Sequence, residues 1–101
     1  MNPGMIKKLQ KMQRDMVNAQ KELEGSTFYG SAGGKMVMVE FTGDKSMKNI
    51  VIQPDAIESS EDLEMLQDTI IAAVNDCIKK IDSETESVMS QFTGGGMPGL
   101  F

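Results

Sequence analysis

Basic side chains recur at regular intervals near the N-terminus of the sequence. Lys7, Lys11, Arg14 and Lys21 are separated by four, three and seven residues, so on an α-helix, at about 100° per residue, they cluster around one direction. A row of cations with helical turns about 5.4 Å apart can meet successive phosphates of a nucleic acid without reading the bases. The residues alone leave a second interpretation open, which is the polar face that any surface helix presents to water.

The charge of the chain is distributed unevenly. The formal net charge is -5, which by itself argues against a nucleic-acid partner. Residues 1–21 nevertheless hold five basic side chains and one acidic one, a balance of +4, whereas residues 54–86 hold ten acidic and two basic ones, a balance of -8. These last two, Lys79 and Lys80, are further candidates for contact with a nucleic acid, although lysines late in a helix also complement its dipole.

Residue types that support catalysis or metal binding are scarce. The chain has no histidine, and its one cysteine, Cys77, falls on an apolar stripe, where cysteine commonly serves as a small hydrophobic residue. Residues 30–35 read GSAGGK, but a phosphate-binding loop requires glycine at the position of Tyr29 and Ser or Thr at that of Met36. We therefore expect no enzymatic activity, no cofactor, no metal site and no small-molecule substrate.

Two long helices are predicted at the ends of the chain. Asn2 as N-cap and Pro3 in the first turn predict that the first helix begins there and runs to about Glu24. Ser59 and Asp62 have the spacing of a capping box and predict the start of the second helix. Apolar residues with a period near 3.6 follow, which is typical of a helix with one buried face.

The first helix carries an apolar seam opposite its basic row. Spacings that alternate between four and three residues are typical of a coiled coil. We call this set the Met/Leu seam: Met5, Leu9, Met12, Met16, Ala19 and Leu23. An adaptor that pairs the Met/Leu seam with a helix of another protein is therefore the alternative function.

The middle of the chain has the pattern of a β-sheet. Apolar residues alternate in Lys35–Thr42, β-branched residues fill Ile50–Ile52, and residues 43–46 supply a turn between them. Thr27–Tyr29 predicts a shorter strand before this hairpin. The fold class is α+β, with a long helix, a three-stranded antiparallel sheet and a second long helix in the order α-β-β-β-α.

The predicted lengths indicate how the chain assembles. The helices would measure roughly 30 Å and 45 Å, whereas a compact domain of this size has a radius of gyration near 13 Å. Three short strands cannot bury both helices, so we expect a homodimer with projecting helical ends. Residues 1–92 are predicted to form one domain and the glycine-rich residues 93–101 a flexible tail. No apolar run suggests a signal peptide or membrane span, so a cytoplasmic location is expected.

Five segments in order resemble the YbaB/EbfC family over essentially the whole chain. They are KKLQKMQRDM at 7–16, SAGGKMVMVEFTGD at 31–44, IVIQPDAI at 50–57, LQDTIIAAVNDCIKKI at 66–81 and TGGGMPGLF at 93–101. The resemblance implies a tweezer-like homodimer that binds double-stranded DNA with little sequence preference and acts in nucleoid organisation or gene regulation. The leading hypothesis is that Lys7, Lys11 and Arg14 of each subunit contact the DNA, joined by Lys21, Lys79 and Lys80.

Overall fold

A computed structural model describes residues 2–92 of the chain. The helices and strands, in chain order, are α1 (Pro3–Gly25), β1 (Thr27–Ala32), β2 (Val37–Thr42), β3 (Met47–Ile52) and α2 (Leu63–Ser90). Single turns of 3-10 helix at Pro54–Ala56 and Ser60–Asp62 connect β3 to α2. The predicted order α-β-β-β-α is confirmed. The tail predicted at residues 93–101 lies outside the described residues.

Helix α1 begins at the polar residue that the sequence indicates, whereas the capping box at Ser59 opens a single 3-10 turn and α2 itself begins four residues later, at Leu63. The side-chain oxygen of Asn2 accepts a hydrogen bond from the backbone N–H of Met5 at 2.7 Å, which satisfies one of the unpaired donors of the first turn. The carboxylate of Asp62 accepts from the N–H groups of Glu58 and Ser59, at 2.9 and 3.3 Å. Asp62 closes the 3-10 turn that leads directly into α2.

The three strands form one antiparallel sheet in the order β1-β2-β3. The expectation of a first strand limited to Thr27–Tyr29 is wrong, because β1 continues through Gly30 to Ala32. A Cβ atom at Gly30 would lie 2.5 Å from the carbonyl oxygen of Ala73 in α2. Gly30 therefore remains in the strand, where the absence of a side chain permits the close approach of α2. This packing outweighs the tendency of glycine to form a turn.

Helix α2 covers β1 and β2 but leaves β3 open. Alternate residues of β2, namely Val37, Val39 and Phe41, are buried. Ile52 and Ile50 pair with Val37 and Val39 and so lie on the same face of the sheet, yet all six residues of β3 are exposed. The buried residues of α2 are Leu66, Ala73, Cys77 and Ile81. The core is consequently one-sided and ends at an uncovered apolar strip.

Helix α1 projects from this core. Its last turns lie beside the end of α2, where Ala19 and Leu23 line one hollow with Val88 and Gln91. Met16 is the first half-buried residue of α1, and all residues of the helix before it are exposed. Residues 3–15, which we call the α1 arm, therefore extend about 20 Å beyond α2. The molecule measures 70 × 26 × 15 Å, with a radius of gyration of 19.6 Å.

Candidate nucleic-acid interface

The α1 arm displays its basic row in solvent. Lys7, Lys11 and Arg14 are exposed on the arm, and Lys21 is exposed farther along the same side of α1. The Met/Leu seam lies roughly 160° away around the helix axis. Because Leu23 in that seam is the buried residue of α1, the orientation of the helix is fixed with the basic row pointing away from the body of the protein.

Most cations of α1 have no acidic partner among residues 2–92. Lys11 forms an ion pair with Asp15 one turn later, at 2.8 Å, and both side chains are exposed. Such a surface pair contributes about 0–1 kcal/mol and exchanges readily for another anion. Within the same part of the chain, Lys7, Arg14 and Lys21 form no ion pair. The row is therefore available for an external polyanion.

The structure adds one basic residue that the sequence analysis did not select. Lys8 is exposed on the α1 arm and has no ion-pair partner in the described part of the chain. Lys8 is one of the five basic residues counted in residues 1–21, but it points about 60° from Lys11 on the helix and so lies beside the row. The arm is exposed on every side, however, so Lys8 reaches solvent as fully as the row does. The charge count of residues 1–21 includes Lys8, but the helical spacing of the row does not.

Lys79 and Lys80 are not brought together with the row on α1. Along α2 they lie about 12 Å from Val88, which is close to Ala19 of α1. Lys7 lies about 18 Å along α1 from Ala19, on the other side of this contact. The ammonium group of Lys80 donates to the backbone carbonyl of Tyr29 at 3.0 Å and lies 3.4 Å from the carboxylate of Asp76. Lys79 is exposed. The two lysines thus form a second basic site, which lies near β1 and apart from the row on α1.

Asp76 attaches β1 to α2 beside these lysines. Its carboxylate accepts a hydrogen bond from the backbone N–H of Ser31 at 3.1 Å. This bond, together with the charge of Lys80, holds the pKa of Asp76 below its ordinary value of 3.8. The lowered pKa of Asp76 therefore follows from the packing of β1 on α2, and no bound ligand is needed to explain it.

The glycine-rich connection between β1 and β2 has the geometry of a tight hairpin. Gly33, Gly34 and Lys35 all have positive φ, from 64 to 69°, and the N–H of Met36 donates to the carbonyl of Gly33 at 3.2 Å. A strand follows directly, whereas a phosphate-binding loop would open a helix. Across residues 2–92, no group of three His, Cys, Asp or Glu side chains is placed to hold a metal ion.

A second surface feature is the strip of apolar side chains on β3. Ile50 and Ile52 are each 38% exposed on the face that α2 covers elsewhere. In the sheet that residues 2–92 form, β3 pairs with β2 on one side and has no strand on the other. An edge strand with unpaired backbone groups and apolar side chains is a ready surface for pairing with another strand. Neither helix in the described part of the chain is long and apolar enough to cross a membrane.

Comparisons with known proteins agree with this geometry. A family model described as the YbaB/EbfC DNA-binding family matches residues 1–97. A nucleoid-associated protein of Enterococcus faecalis is 46% identical over 97 residues, which cover 96% of this chain and 91% of the relative. One of Acetivibrio thermocellus is 48% identical over 100 residues, covering 97% and 88%. The crystal structure of the uncharacterized protein HP0035 of Helicobacter pylori has the same fold, with a TM-score of 0.74 at 20% identity over 92% of this chain and 98% of that one.

Proposed function

We propose that this chain, which belongs to the YbaB/EbfC DNA-binding family, binds double-stranded DNA as a homodimer with little sequence preference. The observation that carries the proposal is the α1 arm, a helix exposed on all sides with a row of cations. Relatives that share more than two fifths of its residues are named nucleoid-associated proteins. The role that follows is nucleoid organisation and gene regulation in the bacterial cytoplasm, by binding and not by catalysis.

The α1 arm supplies the main contacts in this proposal. Lys7, Lys11 and Arg14 lie within about two turns of helix, so their charges can meet neighbouring phosphates along one strand of a duplex. Phosphate contacts position a protein on DNA but carry no sequence information. Lys21 extends the row toward the core, and Lys79 and Lys80 are secondary contacts for DNA that reaches the body of the protein.

Charge reversal on the α1 arm tests the DNA contacts. The triple variant Lys7→Glu, Lys11→Glu, Arg14→Glu is expected to lose retention of duplex DNA in a gel-shift titration, because attraction to phosphate becomes repulsion. Sedimentation should show that it keeps the subunit composition of the wild type. Lys35→Glu is the control for Lys7→Glu, because it makes the same change of charge in the β1–β2 turn and not on the α1 arm. Unchanged retention by the triple variant would place the DNA site elsewhere.

The open edge of the sheet supports the homodimer. If β3 of two copies pairs antiparallel about a twofold axis, the two sheets become one of six strands. Ile50 and Ile52 of the two copies, which a single chain leaves exposed, would then lie side by side on one face of the joined sheet. Burial of these side chains and of the unpaired backbone groups of β3 stabilises the pair. The two α1 arms would project from this shared base, which is the tweezer shape.

Neighbouring residues on opposite faces of β3 test this interface. Ile50→Asp is expected to convert the dimer to a monomer, because it places a charge in the apolar contact with the partner. Val51 pairs with Met38 and so lies on the other face of the sheet, and Val51→Asp should leave the protein dimeric. Sedimentation velocity measures both variants, with circular dichroism to verify folding. Two dimeric variants would contradict the β3 interface.

The adaptor hypothesis is not favoured by the comparisons, because the family and the named relatives point to DNA. The Met/Leu seam that suggested it nevertheless remains uncovered on the α1 arm, where Met5, Leu9 and Met12 are exposed.

A further inference from the structure

We infer that the uncovered part of the Met/Leu seam pairs antiparallel with the same seam of a copy from another dimer, so that the paired arms bridge two DNA duplexes. The pairing itself stands on the geometry of α1. The bridging of DNA rests on the proposed function as well.

The seam is open where a partner helix could fit. Met5, Leu9 and Met12 are 53, 49 and 48% exposed, although they continue the line in which Leu23 is buried beside α2. Helix α2 ends at Ser90, and Gln91 just beyond it lines the same hollow as Ala19 and Leu23. The same apolar line is therefore covered over its inner part and bare over its outer part.

The spacing of the seam specifies an antiparallel register. When a and d positions of two antiparallel helices form layers, Leu9 of one arm packs against Met12 of the other, and Met5 against Met16, which is half-buried at the inner end of the open seam. These contacts occur twice about the twofold axis and give four apolar layers. Methionine adapts its shape readily, so unlike partners in a layer are accommodated.

The charges beside the seam favour the antiparallel arrangement. Lys8 and Asp15 are seven residues apart and flank the same side of the seam. In the antiparallel register, Lys8 of each arm lies across from Asp15 of the other, so that Asp15, which pairs with Lys11 of its own chain at the surface, gains a second cation from the partner arm. A parallel pair would instead place Lys8 near Gln13, without an ion pair. Charge complementarity therefore identifies a second copy of this chain as the partner.

The same geometry explains how the pair would bridge DNA. Because the seam lies roughly 160° from the basic row, the two rows face outward in opposite directions when the seams meet. The axes of packed helices lie about 8–10 Å apart, so each outer surface is free to contact its own duplex. Four layers form a weak contact alone, and they gain strength when several dimers are held close together on DNA.

Cysteine cross-linking tests the register without DNA. Chains with Leu9→Cys and chains with Met12→Cys are mixed and oxidised, and the native Cys77 is fully buried, so it gives no background. We expect the mixed disulfide to exceed either same-variant disulfide several-fold. When chains with Gln10→Cys are used in place of the Leu9→Cys chains, the mixed disulfide should not form, because Gln10 points away from the seam. Equal cross-linking by Gln10→Cys, or none from the original mixture, would overturn the seam pairing.

A two-duplex capture assay tests the bridging. One duplex is fixed to beads, and a labelled duplex of unrelated sequence is added with the protein. Leu9→Gln, Met12→Gln should stay dimeric and bind the fixed duplex, but capture of the labelled duplex should fall by about tenfold or more. Val17→Gln is the control, because it also introduces an uncharged glutamine at an exposed residue of α1, but outside the seam. This variant should capture the labelled duplex as the wild type does.

The possible failures are distinguishable. Wild-type protein that binds the fixed duplex but captures no second one would overturn the bridging and leave the proposed function standing. Wild-type protein that binds no duplex would overturn the proposed function, while cross-linking would still decide the seam pairing. A monomeric Leu9→Gln, Met12→Gln variant would show that the seam holds the dimer itself and would overturn pairing between dimers.

Discussion

Gly30 sets the distance between the sheet and α2. A Cβ atom there would lie 2.5 Å from the carbonyl oxygen of Ala73 and 2.6 Å from the Cβ of Cys77. Both belong to α2, so the helix would have to move as a unit. Gly30→Ala is therefore expected to lower the free energy of unfolding by about 1–3 kcal/mol, the range for overpacked cores.

Denaturant titration measures this effect, and Gly25→Ala is the matched control. Nothing lies within 4 Å of a Cβ at Gly25, the last residue of α1. Alanine at that position should leave stability unchanged or raise it by up to about 1 kcal/mol. Equal midpoints for the two variants would show that the close approach of α2 at Gly30 does not determine the packing.

Asp76 predicts a specific dependence of stability on pH. The Ser31 N–H and then Lys80 hold the pKa of its carboxyl below the ordinary value of 3.8. A lowered folded-state pKa stabilises the protein above the unfolded pKa, and this stabilisation is lost as the pH falls through the folded one. We expect Asp76→Asn to be less stable than the wild type at pH 7 and the difference to shrink below about pH 4. A pH-independent difference in unfolding free energy would contradict this assignment.

Among the elements, the α1 arm depends most on local interactions. Its residues are exposed on every side, and an isolated helix of this length is marginal in water. The hydrogen bond from the Met5 N–H to Asn2 should therefore matter strongly. Asn2→Ala is expected to cost the arm about 0.5–2 kcal/mol, which appears as faster amide exchange in residues 3–15. Exchange in α2 is the internal control, and unchanged exchange in the arm would contradict the prediction.

Local signals account for the elements that could be predicted from sequence. Asn2 caps α1, and Asp62 closes the 3-10 turn before α2, through contacts with residues three or four positions away, so the pattern in the chain is sufficient to predict these turns. The length of β1 could not be predicted, because Gly30 stays in the strand only by virtue of α2 packing over it. Likewise, Lys8 lies beside the basic row on the helix, and its exposure follows from the projection of α1 beyond the core.

The placement of whole elements was less accessible to sequence analysis. Gly43 illustrates the reason. A Cβ atom at Gly43 would overlap the carbonyl group of Leu23, and the N–H of Gly43 donates to the carbonyl oxygen of Ser26 at 3.0 Å. These contacts connect the β2–β3 turn to the end of α1 and so direct the arm away from the sheet. Neither partner is near Gly43 in the chain, and no periodic pattern records the contact.

At the scale of the molecule, elongation separates opposite charges. The net charge is -5, yet Lys7 lies about 18 Å along α1 from the turn that meets α2. That distance exceeds the Debye length of about 8–10 Å at physiological salt, so the acidic residues of α2 repel DNA bound at the arm only weakly. An acidic protein can therefore bind a polyanion through a projecting helix, and shortening the arm would remove this advantage.

In the proposed dimer, the salt dependence of binding counts the contacts with phosphates. If Lys7, Lys11 and Arg14 of both chains meet phosphates, about six contacts predict a slope near -5 for the logarithm of the association constant against that of salt concentration. If Lys8 of each chain also contributes, about eight contacts predict a slope near -7. Lys8→Gln should then reduce the slope by about two, whereas it should leave the slope unchanged if only the row binds. Titrations of one duplex at several salt concentrations measure all of these slopes, and association that is independent of salt would contradict phosphate binding by the arms altogether.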